Sequence, residues 1–172
     1  MSNSQENNMK KEFDEIIRLC EEAIPEYGDH ASYFMEPATE EEIQEWEKAT
    51  DVRIPETYRE WLKLTKTCQI CQTIATYIFP KLTQPEFIPD DYIVMGYVVG
   101  DGEVMCFSKS DGKFITYFEG EVNEEYDDFV GVLQETKRLI KGEMPEISLT
   151  EEKIQAMLAE LEEIRKKKGE NK

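Results

Sequence analysis

Apolar residues recur three and four positions apart near the start of the chain. Met9, Phe13, Ile16, Ile17, Cys20, Ala23 and Ile24 line one side of a helix predicted over residues 5–24. Pro25 and Gly28 stop it, and 30–37 reads as a connector. The helical period returns over 38–65. Thr39 can cap a helix over Glu40–Ala49, with Glu42 completing a capping box and Ile43 and Trp46 sharing its buried face. Pro55 suits the first turn of the next helix, Pro55–Lys66, whose apolar side carries Tyr58, Trp61, Leu62 and Thr65. Both tryptophans therefore belong to the core rather than to an exposed binding anchor.

The pattern then changes to that of a sheet. Thr73–Phe79 is rich in β-branched and aromatic residues, and a loop with three prolines follows over Pro80–Asp91. Tyr92–Val99, Glu103–Ser108 and Lys113–Phe118 form three short strands, joined at Asp101-Gly102 and Asp111-Gly112. Asp-Gly between apolar runs signals a type I′ hairpin turn, so these strands should form an antiparallel meander. Gly120–Glu125 reads as an acidic loop, and Phe129, Val132, Leu133, Thr136 and Ile140 face the sheet from a helix over Tyr126–Ile140. A break at Gly142–Pro145 precedes a last helix, where Ser148 and Glu151 offer a second capping box. Its stripe of Ile154, Met157, Leu158, Leu161 and Ile164 is too short for a coiled coil. Packing back on the domain is favoured over a dimer seam, which predicts a monomer. The fold class expected is α+β, an antiparallel meander with helices packed around it. Residues 1–141 form one domain, with its core over 37–133, and 142–172 form a helical extension.

Composition agrees with a single packed domain: 172 residues, 40% of them hydrophobic, can bury a core. The formal net charge of −18 repels nucleic acid and anionic membranes and favours encounters with basic proteins. No apolar run approaches the ~18 residues of a membrane span, and 1–11 lacks the apolar stretch of an export signal. Four cysteines in a chain of this length do not suggest a disulfide framework. A cytoplasmic setting is expected.

Little catalytic chemistry is legible. His30 is the single histidine, which excludes zinc sites built on two or three imidazoles and offers little to a nucleophile–histidine pair. Cys68-Gln-Ile-Cys71 has metal or redox spacing, but further ligands are scattered. The pair also follows a helix and precedes a strand, the reverse of a thioredoxin-like motif. Cys68 and Cys71 are weak metal candidates, read more simply as small, partly buried residues at a helix-to-strand turn. Gly96, Gly100 and Gly102 lie within or between strands, not ahead of a helix that could hold phosphate. Asp90-Asp91 and Asp127-Asp128 read as turn and first-turn residues. No cofactor and no enzymatic activity are expected.

The ordered elements resemble the SUKH superfamily, which includes Smi/Knr-type regulators of cell-wall synthesis and bacterial immunity proteins. The segments that carry the likeness are Thr39–Glu47, Val52–Leu62, the hairpin Tyr92–Phe107, the Asp111-Gly112 turn and Tyr126–Val130. Members often carry Asn-Gly after the second of these, where this chain has Thr67–Cys71. The resemblance implies a non-enzymatic α+β protein that, in bacterial members, binds and blocks a secreted toxin domain, often a nuclease or deaminase, in the producer's cytoplasm. It also admits a scaffold or regulatory role like that of the fungal members. A basic toxin domain would be met by acidic loops and the sheet face. The expected contacts are Glu86, Asp90, Asp91, Asp101, Glu103, Glu119, Glu121, Glu124 and Glu125.

Overall fold

The computed structural model describes residues 2–98, 102–143 and 151–169. Among them, seven strands form one antiparallel sheet in chain order: β1 (Tyr33–Phe34), β2 (Thr67–Ile70), β3 (Ala75–Ile78), β4 (Tyr92–Val98), β5 (Glu103–Ser108), β6 (Phe114–Phe118) and β7 (Glu121–Tyr126). The helices are α1 (Ser2–Glu22), α2 (Ile24–Tyr27), α3 (Glu40–Thr50), α4 (Glu56–Leu62), α5 (Phe129–Ile140) and α6 (Glu151–Gly169). This is an α+β fold with an antiparallel meander, the class expected from the sequence.

The capping box forms as its sequence dictates. The Glu42 amide donates to Thr39 Oγ1 at 3.1 Å, and the Thr39 amide donates to the Glu42 carboxylate at 2.8 Å. Pro55 sits just ahead of α4 rather than in its first turn, and α4 ends at Leu62 instead of Lys66. The chain is already extended by Thr67, because Cys68 and Ile70 are buried in β2 and pair with β3. Pro25 does not end helical structure outright but opens the single turn of α2.

Strand alternation gives the sheet two unequal faces. On one, Cys68, Ile70, Tyr77, Met95, Met105, Phe107 and Phe114 pack beneath the helices. On the other, Val94, Val104, Cys106 and Ile115 form a smaller cluster with Ile88 of the 80–91 loop. Both tryptophans are core residues, Trp46 donating its indole N–H to the Lys81 carbonyl at 3.3 Å. Aromatic rings knit the helical layer to the sheet. Phe129 meets Tyr58, Trp61, Tyr77 and Phe114 at centroid separations of 4.8, 5.4, 5.2 and 5.6 Å. The Tyr58 hydroxyl donates to the Ile78 carbonyl at 2.5 Å, and Tyr77 and Thr136 share a hydroxyl hydrogen bond of 2.7 Å.

One buried ion pair ties α1 to α5: the Lys137 ammonium lies 2.6 Å from Glu12 and 3.0 Å from Glu15. Burial works against the charge on Lys137, but the hydrogen bonds it donates to the two carboxylates outweigh it and leave its pKa raised.

Gly96 is where the sheet tolerates no side chain. A Cβ there would stand 2.5 Å from the Thr76 carbonyl oxygen and 2.9 Å from the Tyr77 ring. Gly96→Ala should therefore destabilise the fold by about 1–3 kcal/mol, read as a lower urea midpoint with an unchanged slope.

Two expectations fail in the hairpins. Asp101 of the first Asp-Gly lies outside the described residues, and β4 and β5 pair out to Val98↔Glu103. At the second Asp-Gly, Gly112 has φ 71° while Asp111 is not left-handed, so no type I′ turn forms there. That turn occurs instead at Glu119-Gly120, with φ 49° and 91°, joining Phe118 to Glu121. The supposed acidic loop Gly120–Glu125 is thus mostly β7, an edge strand whose exposed, charged side chains blunt edge-to-edge pairing.

The termini also differ from expectation. Ser148 lies outside the described residues. The stripe of Ile154, Met157, Leu158, Leu161 and Ile164 on α6 is exposed instead of packed back, the helix-side sheet face being already covered by α1, α4 and α5. The ground for expecting a monomer is thereby removed. No helix among the described residues is long and apolar enough to cross a membrane.

Candidate functional site

The hairpin β6–β7 carries the acidic residues Glu119, Glu121, Glu124 and Glu125, and its register decides where they point. Glu125 pairs with Ile115 and so falls on the face away from the helices. Glu124 pairs with Thr116 and lies on the helix side, as does Glu103 through its pairing with Val98. A shift between Thr116 and Tyr117 accommodates Asn123, whose side-chain amide donates to Glu103 at 3.2 Å.

Glu103 and Glu124 meet Glu135 of α5 around a cleft of about 380 Å³, floored by Tyr77, Met105, Val132 and Leu139. The phenol of Tyr126 registers their convergence. Burial raises its pKa first, and the charges of Glu135, Glu124 and Glu103 raise it further, against the opposing field of Arg138. Arg138 also holds Glu135 through an ion pair. An apolar floor under a carboxylate rim matches a lysine or arginine side chain, whose aliphatic stem can lie on Val132 and Leu139 while the cation meets the acids.

The remaining expected contacts separate. Glu86 and Asp90 are exposed on the 80–91 loop, Glu119 sits in the hairpin turn and Glu121 begins the edge strand. Asp101 lies outside the described residues. Asp91 is structural. Its carboxylate accepts from the Ser108 hydroxyl at 2.7 Å, the Ser110 hydroxyl at 2.9 Å and the Ser110 amide at 3.1 Å. It thereby stitches the 109–112 loop to the start of β4.

The Ser108 hydrogen bond, followed by those from Ser110, holds the Asp91 carboxyl below its ordinary range against the effect of burial. Asp91→Ala should cost about 1–2 kcal/mol at neutral pH. Because the folded pKa is depressed, the charge-dependent part is present above the unfolded value. It disappears as pH falls through the folded one, so the two unfolding curves should draw together in acid.

Glu135 and Tyr126 are the cleft residues that the hydrophobic pattern passes over. Glu135 follows Val132 by three and precedes Leu139 by four, a spacing that already places it beside the core stripe. Tyr126 ends β7 rather than opening the helix. The Asp128 carboxylate caps α5 by accepting from the Gly131 amide at 2.9 Å, and Thr57 Oγ1 accepts from the Phe129 amide at 3.0 Å.

The cysteines are not gathered with other metal-binding side chains: among the described residues no group of three or more His, Cys, Asp or Glu could hold a metal ion. Nor do Cys68 and Cys71 sit at a helix-to-strand turn. Cys68 lies in β2 beneath the helices, and Cys71 follows in a left-handed turn. His30 is exposed in the connector.

These features define an α+β domain in which helices back one antiparallel sheet and an acidic cleft opens beside its edge hairpin. Residues 37–135 match the SMI1/KNR4 family (SUKH-1), and the chain belongs to that family. No curated protein matches it.

Proposed function

We propose that this chain is a non-enzymatic immunity protein that binds and neutralises the basic C-terminal domain of a cognate secreted toxin in the producing cell's cytoplasm. The observation that carries this reading is the convergence of Glu103, Glu124 and Glu135 on one apolar-floored cleft. Basic groups of the helical layer are already engaged: Arg59 with Glu40 and Glu47, Lys63 with Glu60, Lys66 with Glu36 and Lys137 with Glu12. Internal pairing also reaches Glu135 through Arg138 and Glu125 through Lys113, but 38 acidic against 20 basic residues leave a net charge of −18, which would steer a basic domain toward the cleft and the acids of β7. Nucleases and deaminases acting on anionic substrates suit this partner chemistry.

The test is genetic. The neighbouring upstream gene should encode a large secreted protein, and its C-terminal domain expressed alone should arrest growth. Co-expression of this chain should restore it. Arrest that persists despite a folded, expressed chain counts against neutralisation and leaves the scaffold role of the regulatory family members.

A further inference from the structure

The Cys-x-x-Cys spacing draws attention to Cys68 and Cys71, but the fold gives Cys71 a different neighbour. Alternation along β2 places Cys68 and Ile70 beneath the helices and would send residue 71 to the opposite face. Two successive left-handed residues, Cys71 at φ 48° and Gln72 at φ 55°, break that alternation. Neither residue is a glycine, so the turn is strained, and the preceding connector holds it in place. The Cys71 amide donates to Ser32 Oγ at 2.8 Å, and the Gln72 amide donates to the Ala31 carbonyl at 2.7 Å. Cys71 is consequently turned inward and only 1% exposed.

It meets Cys20 of α1 there. Both thiols line one cavity of about 200 Å³, with Ile24, Tyr27, Ser32 and Phe34 around them, and this cavity is open to solvent on one side. The two thiols are close enough to influence each other's titration, and the Ser32 hydroxyl lies 3.9 Å from the Cys71 sulfur. Cys68 does not line the cavity and is fully buried.

We propose that Cys20 and Cys71 are a disulfide-forming pair, oxidised by peroxide entering this cavity, which ties α1 to the β2–β3 turn. The Cys71 thiolate sulfur attacks one peroxide oxygen, the O–O bond breaks, and sulfenic acid and hydroxide result. The Cys20 thiolate then attacks the Cys71 sulfur, the S–O bond breaks, and a second hydroxide leaves. The two thiol protons convert both hydroxides to water, so two thiols and one peroxide give one disulfide and two waters. Burial raises both thiols, Cys20 to about 11, so little thiolate is present and the bond forms slowly.

The experiment is oxidation of the full chain with hydrogen peroxide, followed by intact mass and tryptic mapping. A loss of about 2 Da and a link between the peptides containing Cys20 and Cys71 are expected. Cys68 and Cys71 share one tryptic peptide, so the link is mapped in Cys68→Ser and Cys71→Ser backgrounds and by fragmentation of the linked wild-type peptides. It should persist in Cys68→Ser and vanish in Cys71→Ser and Cys20→Ser. Closing a loop of this size should raise the wild-type thermal midpoint by roughly 5–10 °C, and the midpoint of Cys71→Ser should not respond. A link that survives Cys71→Ser, fragments that place it at Cys68, or oxidation giving only sulfinic acid or linked dimers overturns the proposal.

Discussion

Phe129→Ala should cost about 3–5 kcal/mol of folding free energy, a large share of the roughly 5–15 kcal/mol available to a domain of this size. Phe129 is fully buried and opens α5, where its ring touches aromatic residues from α4, β3 and β6. Truncation removes the transfer energy of one large side chain and leaves a cavity walled by rigid rings that cannot collapse to fill it. Four edge or tilted ring contacts are lost as well. Chemical denaturation should show a lower midpoint, and near-ultraviolet circular dichroism should lose intensity before the backbone signal does. A loss below about 1 kcal/mol would mean that the aromatic layer does not join helices to sheet as described.

The second large effect is on binding. Replacing Glu103, Glu124 and Glu135 together by lysine changes the local charge by six units at the cleft proposed to receive a cation. Association with the basic partner should slow by about tenfold or more at low salt, and dissociation should accelerate as like charges meet at the rim. A combined weakening of roughly 100-fold or more is expected. The same substitutions at exposed Glu86, Asp90 and Glu119 should mainly reduce the association rate, since a rim charge steers more than it holds. The two sets are comparable in charge but not in position, so equal losses from both would assign binding to the general field rather than to the cleft. The cleft variant's unfolding midpoint should be measured alongside, because Glu135 also pairs with Arg138.

Much of the helical layer was legible because its signals are local. Thr39 and Glu42 stand three apart and cap α3 on their own, and the stripe Tyr58, Trp61, Leu62 needs only helical spacing to announce its buried face. The central strands were legible for a similar reason, since they bury side chains on both faces and read as apolar runs. The edges were not. β7 buries little on either face, so Glu121–Tyr126 carries no alternation, and its turn uses Glu119, a residue with no preference for left-handed backbone. β1 has two residues and exists only because Tyr33 and Phe34 pair with β2.

The site depended on long-range geometry and was read less well. Glu103 and Glu124 were anticipated as contacts, but nothing local reveals that β-pairing brings them to the same cleft as Glu135. Asp91 was singled out for its charge, and nothing local reveals the three hydrogen bonds to Ser108 and Ser110 through which it also ties a loop to β4. Cys71 was paired with Cys68 by spacing, whereas a strained turn faces it toward Cys20, far away in sequence.

Everything proposed for the acidic cleft rests on whether this chain captures a basic toxin domain, which the proposal expects the neighbouring upstream gene to encode. The direct measurement is the binding kinetics of the purified chain with that domain across a range of salt. A one-to-one complex with a Kd below about 1 μM is predicted, with an association rate that falls steeply as ionic strength rises. No binding at about 100 μM, or tight binding with an association rate indifferent to salt and to the charge of the cleft, would contradict it.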